Sequence, residues 1–297
     1  MDLIVVGIDG STGSAHAVEW AATEASRTGI DLEIVHALDI PGTSAINVNA
    51  HLQGTTVAEL ENFSQHLLDI AAHRVAEVAP TAKVRTRMQI GSPTGVLIDA
   101  SRDASALVVG SRGLGTLGRF VGSVSLRCAA RAHCPVFVIP DQGRHSPPVG
   151  PIVAAVDDSD LGAAALRFAL IQALSCNTSV RAVTAYQLPV VSVPLEPEMI
   201  SGFQRAGHDQ AVRILDKMVD RVRSDATRHV AVETVVGQGS AADVITGEAK
   251  DAQLIVVGSH GRGAVRRVFL GSVSQRLLHQ AEVPVAVVNH HWTPDSD

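Results

Sequence analysis

Glycine and serine recur in the chain at a spacing that suits the binding of phosphate groups. A segment that reads GSRG and, farther on, GSVS is followed later by one that reads GSHG and then GSVS. Glycines let backbone N–H groups approach a ligand, and the N–H groups at the start of a helix favour anions. We therefore predict two phosphate sites. The residues concerned are Gly110, Gly122, Ser123 and Ser125 in the first copy and Gly258, Gly271, Ser272 and Ser274 in the second.

The serines of these segments have a second interpretation, because serine commonly caps the start of a helix. The residues concerned are Ser123, Ser125, Ser272 and Ser274. They recur in both copies and each follows a glycine-rich stretch. We therefore predict that their hydroxyl groups bind phosphate.

In each copy, one aspartate ends the first strand-like run. These aspartates are Asp9 and Asp157, which lie 148 residues apart. A carboxylate at such a position can face an adenine amine, a ribose hydroxyl or a metal ion. It can also fix a turn or cap the next helix through hydrogen bonds to nearby backbone groups. We take the ligand-facing role as the prediction.

The constant offset between the copies indicates a duplicated domain. Gly239 follows Gly91 by 148 residues, and Gly258 follows Gly110 by the same distance. A period of this length matches a globular domain and is too long for a solenoid repeat. We predict a first domain over residues 1–140, a breaker-rich linker over 141–151, a second domain over 152–290 and a tail over 291–297.

Each copy alternates short apolar runs with amphipathic segments. Residues 3–8 form a continuous β-branched run, which is typical of a strand buried on both faces of a parallel sheet. The order βαβαβαβαβ predicts an α/β fold made of two tandem, doubly wound, five-stranded parallel-sheet domains of the Rossmann-like type. Ligands of such sheets bind at the carboxyl ends of the strands, here between the first and fourth strands.

Composition narrows the function classes. Aromatic residues make up 3% of the chain and the formal net charge is −6, so we expect no binding to nucleic acid. No apolar stretch has the length of a membrane span, and the first residues do not form a signal peptide, which predicts a cytoplasmic protein without membrane contact. The three cysteines lack the spacing of a metal site.

The glycine pattern resembles that of the universal stress protein family in its tandem two-domain form. Nucleotide-binding members of that family carry G-x2-G-x9-G-[S/T]. The second copy matches it in full, with nine residues, 262–270, between Gly261 and Gly271. The first copy has eight residues, 114–121, between Gly113 and Gly122, one fewer than the pattern.

The resemblance implies ATP, with Mg²⁺, in each crevice. The strand-end acid, Asp9 or Asp157, would lie by the nucleoside, and the backbone of Ala37 or Ala185 at the end of the second strand would contact adenine. The loop and helix start would hold the phosphates. By this resemblance the phosphate-binding residues would be Gly110, Arg112, Gly113, Gly122, Ser123, Val124 and Ser125 in the first copy and Gly258, His260, Gly261, Gly271, Ser272, Val273 and Ser274 in the second. It also implies that the two halves pack through their final strands about a pseudo-twofold axis, and a homodimer through edge strands can add to this arrangement.

Three classes of function remain open. We favour an ATP-binding protein that acts in stress response or growth regulation, through nucleotide-dependent conformation or through a protein partner that the sequence does not identify. The alternatives are a nucleotide-free scaffold and a slow ATP hydrolase. The sequence offers no evident general base, nucleophile or cluster of metal-binding acids, so we expect a regulatory protein rather than an enzyme, and predict no catalytic residues.

One glycine motif matches the dinucleotide-binding pattern but lacks the context that this pattern requires. Residues 113–118 spell G-x-G-x-x-G, the fingerprint of dinucleotide-binding folds, but they follow the fourth strand and no acid lies about 20 residues farther on. The P-loop pattern G-x-x-x-x-G-K-[S/T] does not occur in the chain. We therefore expect neither a dinucleotide site nor a P-loop enzyme.

Overall fold

The computed structural model describes residues 3–40, 56–113, 121–141, 150–188, 196–261 and 270–292. Contacts between residues divide the chain into two units, Met1–His145 and Ser146–Asp297. Parts of four predicted segments lie outside the described residues. They are residues 142–149 of the linker, 293–297 of the tail, and 114–120 and 262–269 of the two glycine-rich loops.

The first unit is a parallel sheet of five strands with four helices. The elements in chain order are β1 (Leu3–Ile8), α1 (Thr12–Thr28), β2 (Asp31–Leu38), α2 (Val57–Val78), β3 (Val84–Ile90), α3 (Pro93–Ala100), β4 (Ala106–Gly110), α4 (Ser123–Arg131) and β5 (Val136–Ile139). Strand pairing gives the order β3-β2-β1-β4-β5. The order reverses between β1 and β4, which creates the crevice that the sequence predicts there.

The second unit repeats this architecture. Its elements are β6 (Ile152–Ala155), α5 (Asp160–Cys176), β7 (Val180–Tyr186), α6 (Pro197–Val222), β8 (Val232–Gln238), α7 (Ala241–Glu248), β9 (Leu254–Gly258), α8 (Ser272–Gln280) and β10 (Val285–Val288). All pairs are parallel, in the order β8-β7-β6-β9-β10. The predicted α/β fold of two tandem, doubly wound domains is confirmed.

The apolar strands lie at the centres of the sheets. Every residue of β6 and β9 is buried, and so is every residue of β1 and β4 except the first of each. Strands with both faces covered by helices need no polar alternation, which explains their continuous runs of Val, Ile and Leu. The outer strand β3 instead carries Arg85, Arg87 and Gln89 and is partly exposed throughout.

Aromatic packing differs between the two units. In the first unit, Trp20 of α1 packs on Phe137 of β5, with ring centroids 4.6 Å apart. The corresponding positions of the second unit hold Phe168 and Ala286. The smaller alanine leaves Phe168 to pack on Trp292 instead, edge to face at 5.3 Å.

The segment after β10 therefore begins as part of the second unit. The sequence assigns residues 291–297 to a tail, but His291 donates its N–H to the Asn289 side chain at 3.1 Å, and Trp292 reaches Phe168. The contact between the Trp292 and Phe168 rings explains why this segment packs against the second unit, because aromatic side chains bury a large apolar area.

Within the described ranges, no helix combines the length and apolar character that a membrane crossing requires. The same residues hold no group of three His, Cys, Asp or Glu side chains placed to bind a metal ion.

The cysteines give a test of this packing. Burial raises the pKa of the Cys128 and Cys134 thiols to about 12, whereas Cys176 at the end of α5 is partly exposed. Because only thiolates react quickly, we expect a thiol reagent at about pH 8 to label one cysteine per native chain and all three after denaturation. Rapid labelling of two or three thiols in the native protein would contradict this arrangement.

Candidate functional site

A cavity of about 310 Å³ opens at the carboxyl ends of the strands in the first unit. It lies at the crevice between β1 and β4. All predicted site residues of the first copy line it: Asp9, Ala37, Gly110, Arg112, Gly113, Gly122, Ser123, Val124 and Ser125. The structure thus brings together residues from three strand ends and one helix start.

The second unit has a larger cavity of about 520 Å³ at the equivalent place. It is again lined by every predicted site residue of that copy: Asp157, Ala185, Gly258, His260, Gly261, Gly271, Ser272, Val273 and Ser274. Both volumes fall in the range of small-molecule sites, about 300–1,000 Å³.

One oxygen of each strand-end carboxylate fixes a turn. Asp9 Oδ1 accepts hydrogen bonds from Ser11 N–H at 3.0 Å and from Ser11 Oγ at 2.6 Å. Ser11 in turn caps α1 by accepting from Ser14 N–H at 3.2 Å. In the second unit Asp157 Oδ1 accepts from the N–H and hydroxyl of Ser159 in the same way. The turn-fixing role that the sequence left as an alternative is therefore present in both copies.

The other carboxylate oxygen lies against the loop glycine. A Cβ atom placed on Gly113 would overlap Asp9 Oδ2, and one placed on Gly261 would overlap Asp157 Oδ2. Neither position can carry a side chain without displacing the carboxylate. Each aspartate thus holds its turn with one oxygen and meets the wall of the cavity with the other.

Two of the helices that line the cavities, α4 and α8, have no side-chain cap at their starts. Ser11, Ser92 and Ser159 accept hydrogen bonds at the starts of α1, α3 and α5. In contrast, α4 and α8 follow Gly122 and Gly271, which have no side chain to cap them. The first N–H groups of a helix have no partner within it, so these two starts favour an anion.

The serine hydroxyls divide into two pairs. Ser125 Oγ donates to the carbonyl oxygen of Gly110 at 2.6 Å, and Ser274 Oγ donates to that of Gly258 at the same distance. A serine has one proton to donate, so these buried hydroxyls tie a helix start to a strand end instead of donating to phosphate. This differs from the predicted phosphate contact. Ser123 and Ser272, in contrast, are exposed at the first helical position.

Backbone alternation directs Ala37 and Ala185 toward the cavities. Gly91 N–H donates to the Leu38 carbonyl at 3.0 Å, so Leu38 faces β3, and the preceding Ala37 faces β1. The β1 ladder ends with the pair of Ile8 and His36, one residue before Ala37. Its backbone groups therefore point past the end of β1 into the crevice.

The same holds in the second unit. Gly239 N–H donates to the Tyr186 carbonyl at 2.9 Å, so Tyr186 faces β8. Ala185 faces the opposite neighbour, β6, which ends at Ala155. The backbone groups of Ala185 therefore also point into the crevice.

The loops carry different charges. Arg112 Nη1 of the first unit lies 3.5 Å from Asp141 Oδ2. At the equivalent place of the second unit, His260 Nδ1 lies 3.1 Å from Ser259 Oγ. The first cavity thus has a permanently charged guanidinium paired with a carboxylate, and the second has an imidazole.

Sequence reasoning missed seven lining positions in the first copy and eight in the second. They include Gly7, Ser14, Pro93 and Leu97 in the first unit and Ala155, Gly162, Ala241 and Ile245 in the second. The signal that could have found these four pairs is the offset of 148 residues, which holds at all four. A Cβ on Gly7 would lie 2.8 Å from a methyl carbon of Leu97, and the corresponding positions of the second unit hold Ala155 and Ile245.

A sequence model of the Universal stress protein family matches residues 1–140 and 148–289. Universal stress protein Rv2005c of Mycobacterium tuberculosis is 31% identical over 301 residues, with 96% of each chain covered. Universal stress protein Rv2623 of the same organism is 30% identical over 298 residues, with 98% of this chain and 97% of the relative covered.

Among solved structures, the fold is similar to that of a universal stress protein from Archaeoglobus fulgidus. The TM-score is 0.68 at 19% sequence identity, and the alignment covers 97% of this chain and 98% of the other. At this level of identity the likeness shows the fold alone. The family of this chain is instead established by the matching family model and by the relatives that are 30–31% identical in sequence.

The different roles of the buried and the exposed serines can be tested by measuring the stability of alanine variants. Ser125→Ala and Ser274→Ala each remove a buried hydrogen bond, so we expect each to lower the free energy of unfolding by about 1–2 kcal/mol. The matched controls Ser123→Ala and Ser272→Ala change exposed residues and should stay within about 0.5 kcal/mol of the parent. Urea denaturation measures all four. Equal losses in the two pairs would show that the buried hydroxyls do not hold the helix starts.

Proposed function

Because the chain belongs to the universal stress protein family, we propose that it binds ATP with Mg²⁺ in one or both cavities and acts in stress response or growth regulation. In this proposal nucleotide occupancy changes the conformation of the protein or its choice of protein partner. The chain is then a regulatory protein and not an enzyme.

The observation that carries the proposal is the convergence of three groups in each unit. In each unit, the cavity is lined by a carboxylate, a glycine in contact with it and a helix start without a side-chain cap. The glycine loop and helix start offer backbone N–H groups, which suit the phosphates of a nucleotide. The carboxylate and the backbone of Ala37 or Ala185 offer polar groups that suit a ribose and an adenine base.

The residues present also fit a magnesium ion that arrives with the nucleotide. Mg²⁺ in such sites is commonly held by one or two carboxylates together with the phosphates of the substrate. Asp9 and Asp157 each place one carboxylate in their cavity. When bound, the ion would neutralise phosphate charge.

The second cavity is the principal site in this proposal. It is the larger of the two and has the full-length spacing between Gly261 and Gly271. The first cavity is smaller and its loop is one residue shorter. The first helix also lies closer to β4 there, since a Cβ on Gly110 would lie 2.6 Å from the backbone of Gly13.

Ligand binding can change the conformation because the site residues come from separate elements. A nucleotide in the second cavity would contact the end of β6, the loop after β9 and the start of α8 at once. A ligand that binds best when these elements adopt one arrangement increases the population of that arrangement. This is the physical basis that we propose for regulation.

A slow ATP hydrolase is a weaker candidate. Among the residues that line the second cavity, the ionisable side chains are Asp157 and His260. Asp157 already accepts two hydrogen bonds from Ser159 through one oxygen. A general base must reach the attacking water, and apart from Asp157 and His260 no side chain of that lining can act as one.

The proposal is tested by glutamate substitutions at the loop glycines. Gly113→Glu and Gly261→Glu place a bulky negative side chain where even a Cβ overlaps the aspartate, so each should abolish ATP binding in its own unit. Gly202→Glu is the matched control, because Gly202 on α6 is exposed and has open space around it. Mass spectrometry of the released nucleotide and calorimetric titration with ATP and Mg²⁺ give the number of sites filled.

We expect the Gly261→Glu variant to lose ATP binding in the second cavity and the Gly202→Glu variant to bind ATP as the parent chain does. The variant that combines Gly113→Glu with Gly261→Glu should bind no ATP. Circular dichroism establishes that each variant is folded. Absence of ATP from the parent chain, both after purification and in the titration, would contradict the proposal and favour the nucleotide-free scaffold.

A further inference from the structure

Asp141, which follows β5 in the first unit, gathers side chains from two other segments. Thr12 Oγ1 donates to Asp141 Oδ1 at 3.0 Å, and His16 Nδ1 lies 4.0 Å from the same oxygen. Arg112 Nη1 lies 3.5 Å from Oδ2. Asp141 N–H donates to Ser111 Oγ at 3.1 Å. The carboxylate is thus anchored both to the start of α1 and to the loop after β4.

This cluster lies at the edge of the first cavity, because Arg112 is one of the residues that line it. The side chains of Arg112 and Asp141 are 23% and 20% exposed. An ion pair with this little exposure is screened less than a pair on the open surface. The guanidinium that the cavity offers to an anion is therefore already engaged by a carboxylate of the same unit.

The second unit is built differently at these positions. The residue that corresponds to Asp141 is His290, and the one that corresponds to Arg112 is His260. Asp160, which corresponds to Thr12, pairs instead with Arg221 of α6 at 2.6 Å. The arginine–aspartate pair is thus specific to the first cavity.

We propose that Asp141 restrains nucleotide binding at the first cavity by holding Arg112 in an ion pair. This inference rests on the proposed function. A nucleotide phosphate and the Asp141 carboxylate compete for one guanidinium. The first cavity therefore binds a nucleoside polyphosphate more weakly than its glycine loop and helix start would allow, and the second cavity fills first.

The direction of a single substitution separates this restraint from a supporting role. If Asp141 merely held the loop in the shape that binds phosphate, its loss would weaken binding. If it restrains Arg112, its loss strengthens binding. Asp141→Asn is suitable because the amide oxygen can still accept the hydrogen bond from Thr12, which preserves the local fold.

The measurement is calorimetric titration of the full chain with ATP and Mg²⁺ in a Gly261→Glu background, which leaves the first cavity to be observed alone. We expect Asp141→Asn to tighten ATP binding by about tenfold, because it frees the Arg112 guanidinium to pair with the phosphates. Asp69→Asn, an exposed charge change on α2 outside the cavity lining, is the matched control and should leave the affinity unchanged.

A double-mutant cycle with Arg112→Ala tests whether Asp141 acts on ATP binding through Arg112. The gain from Asp141→Asn should disappear when Arg112 is absent, whereas an effect of net charge alone would persist. Unchanged or weaker binding in Asp141→Asn, or a gain that persists without Arg112, overturns the inference.

Two outcomes separate this inference from the proposed function. If the second cavity of the parent chain binds ATP while the first binds none in any variant, the inference fails and the proposed function stands. If neither cavity of the parent chain binds ATP, both fail.

Discussion

The close approach of a carboxylate to a glycine is the contact on which each site depends. At the end of the first strand of each unit, one aspartate oxygen holds the turn into the first helix, while the other lies where a side chain of the loop glycine would be. The strand, the helix and the loop after the fourth strand are thereby brought to one point. A larger residue in place of Gly113 or Gly261 would displace the carboxylate from this position and change the polar groups that the cavity offers.

Much of this arrangement could be predicted from the sequence because it depends on local patterns and on topology. Continuous β-branched runs identified the central strands, and the 148-residue offset identified the repeat. In a parallel sheet the carboxyl ends of the strands meet at one edge, so residues at or just after the ends of β1, β2 and β4 had to converge. The structure places every predicted site residue on a cavity lining for that reason.

Other features depend on contacts between distant segments, which no local pattern encodes. A serine at a helix start reads the same whether its hydroxyl donates to a ligand or to the carbonyl of Gly110. The pairing of Arg112 with Asp141 joins residues on either side of α4 and β5. The packing of Trp292 on Phe168 was missed because a polar, histidine-containing C-terminal segment resembles an unstructured tail. In each case tertiary proximity decides the role of the side chain.

The aromatic contacts show how far the duplicated halves have diverged. In one, the large partner for the helix ring comes from the last strand, as Phe137; in the other it comes from beyond that strand, as Trp292. The halves are therefore no longer interchangeable parts. A chimera that carried β10 in place of β5 would set Ala286 against Trp20 and leave a void beneath the indole, although the two strands have the same length and register.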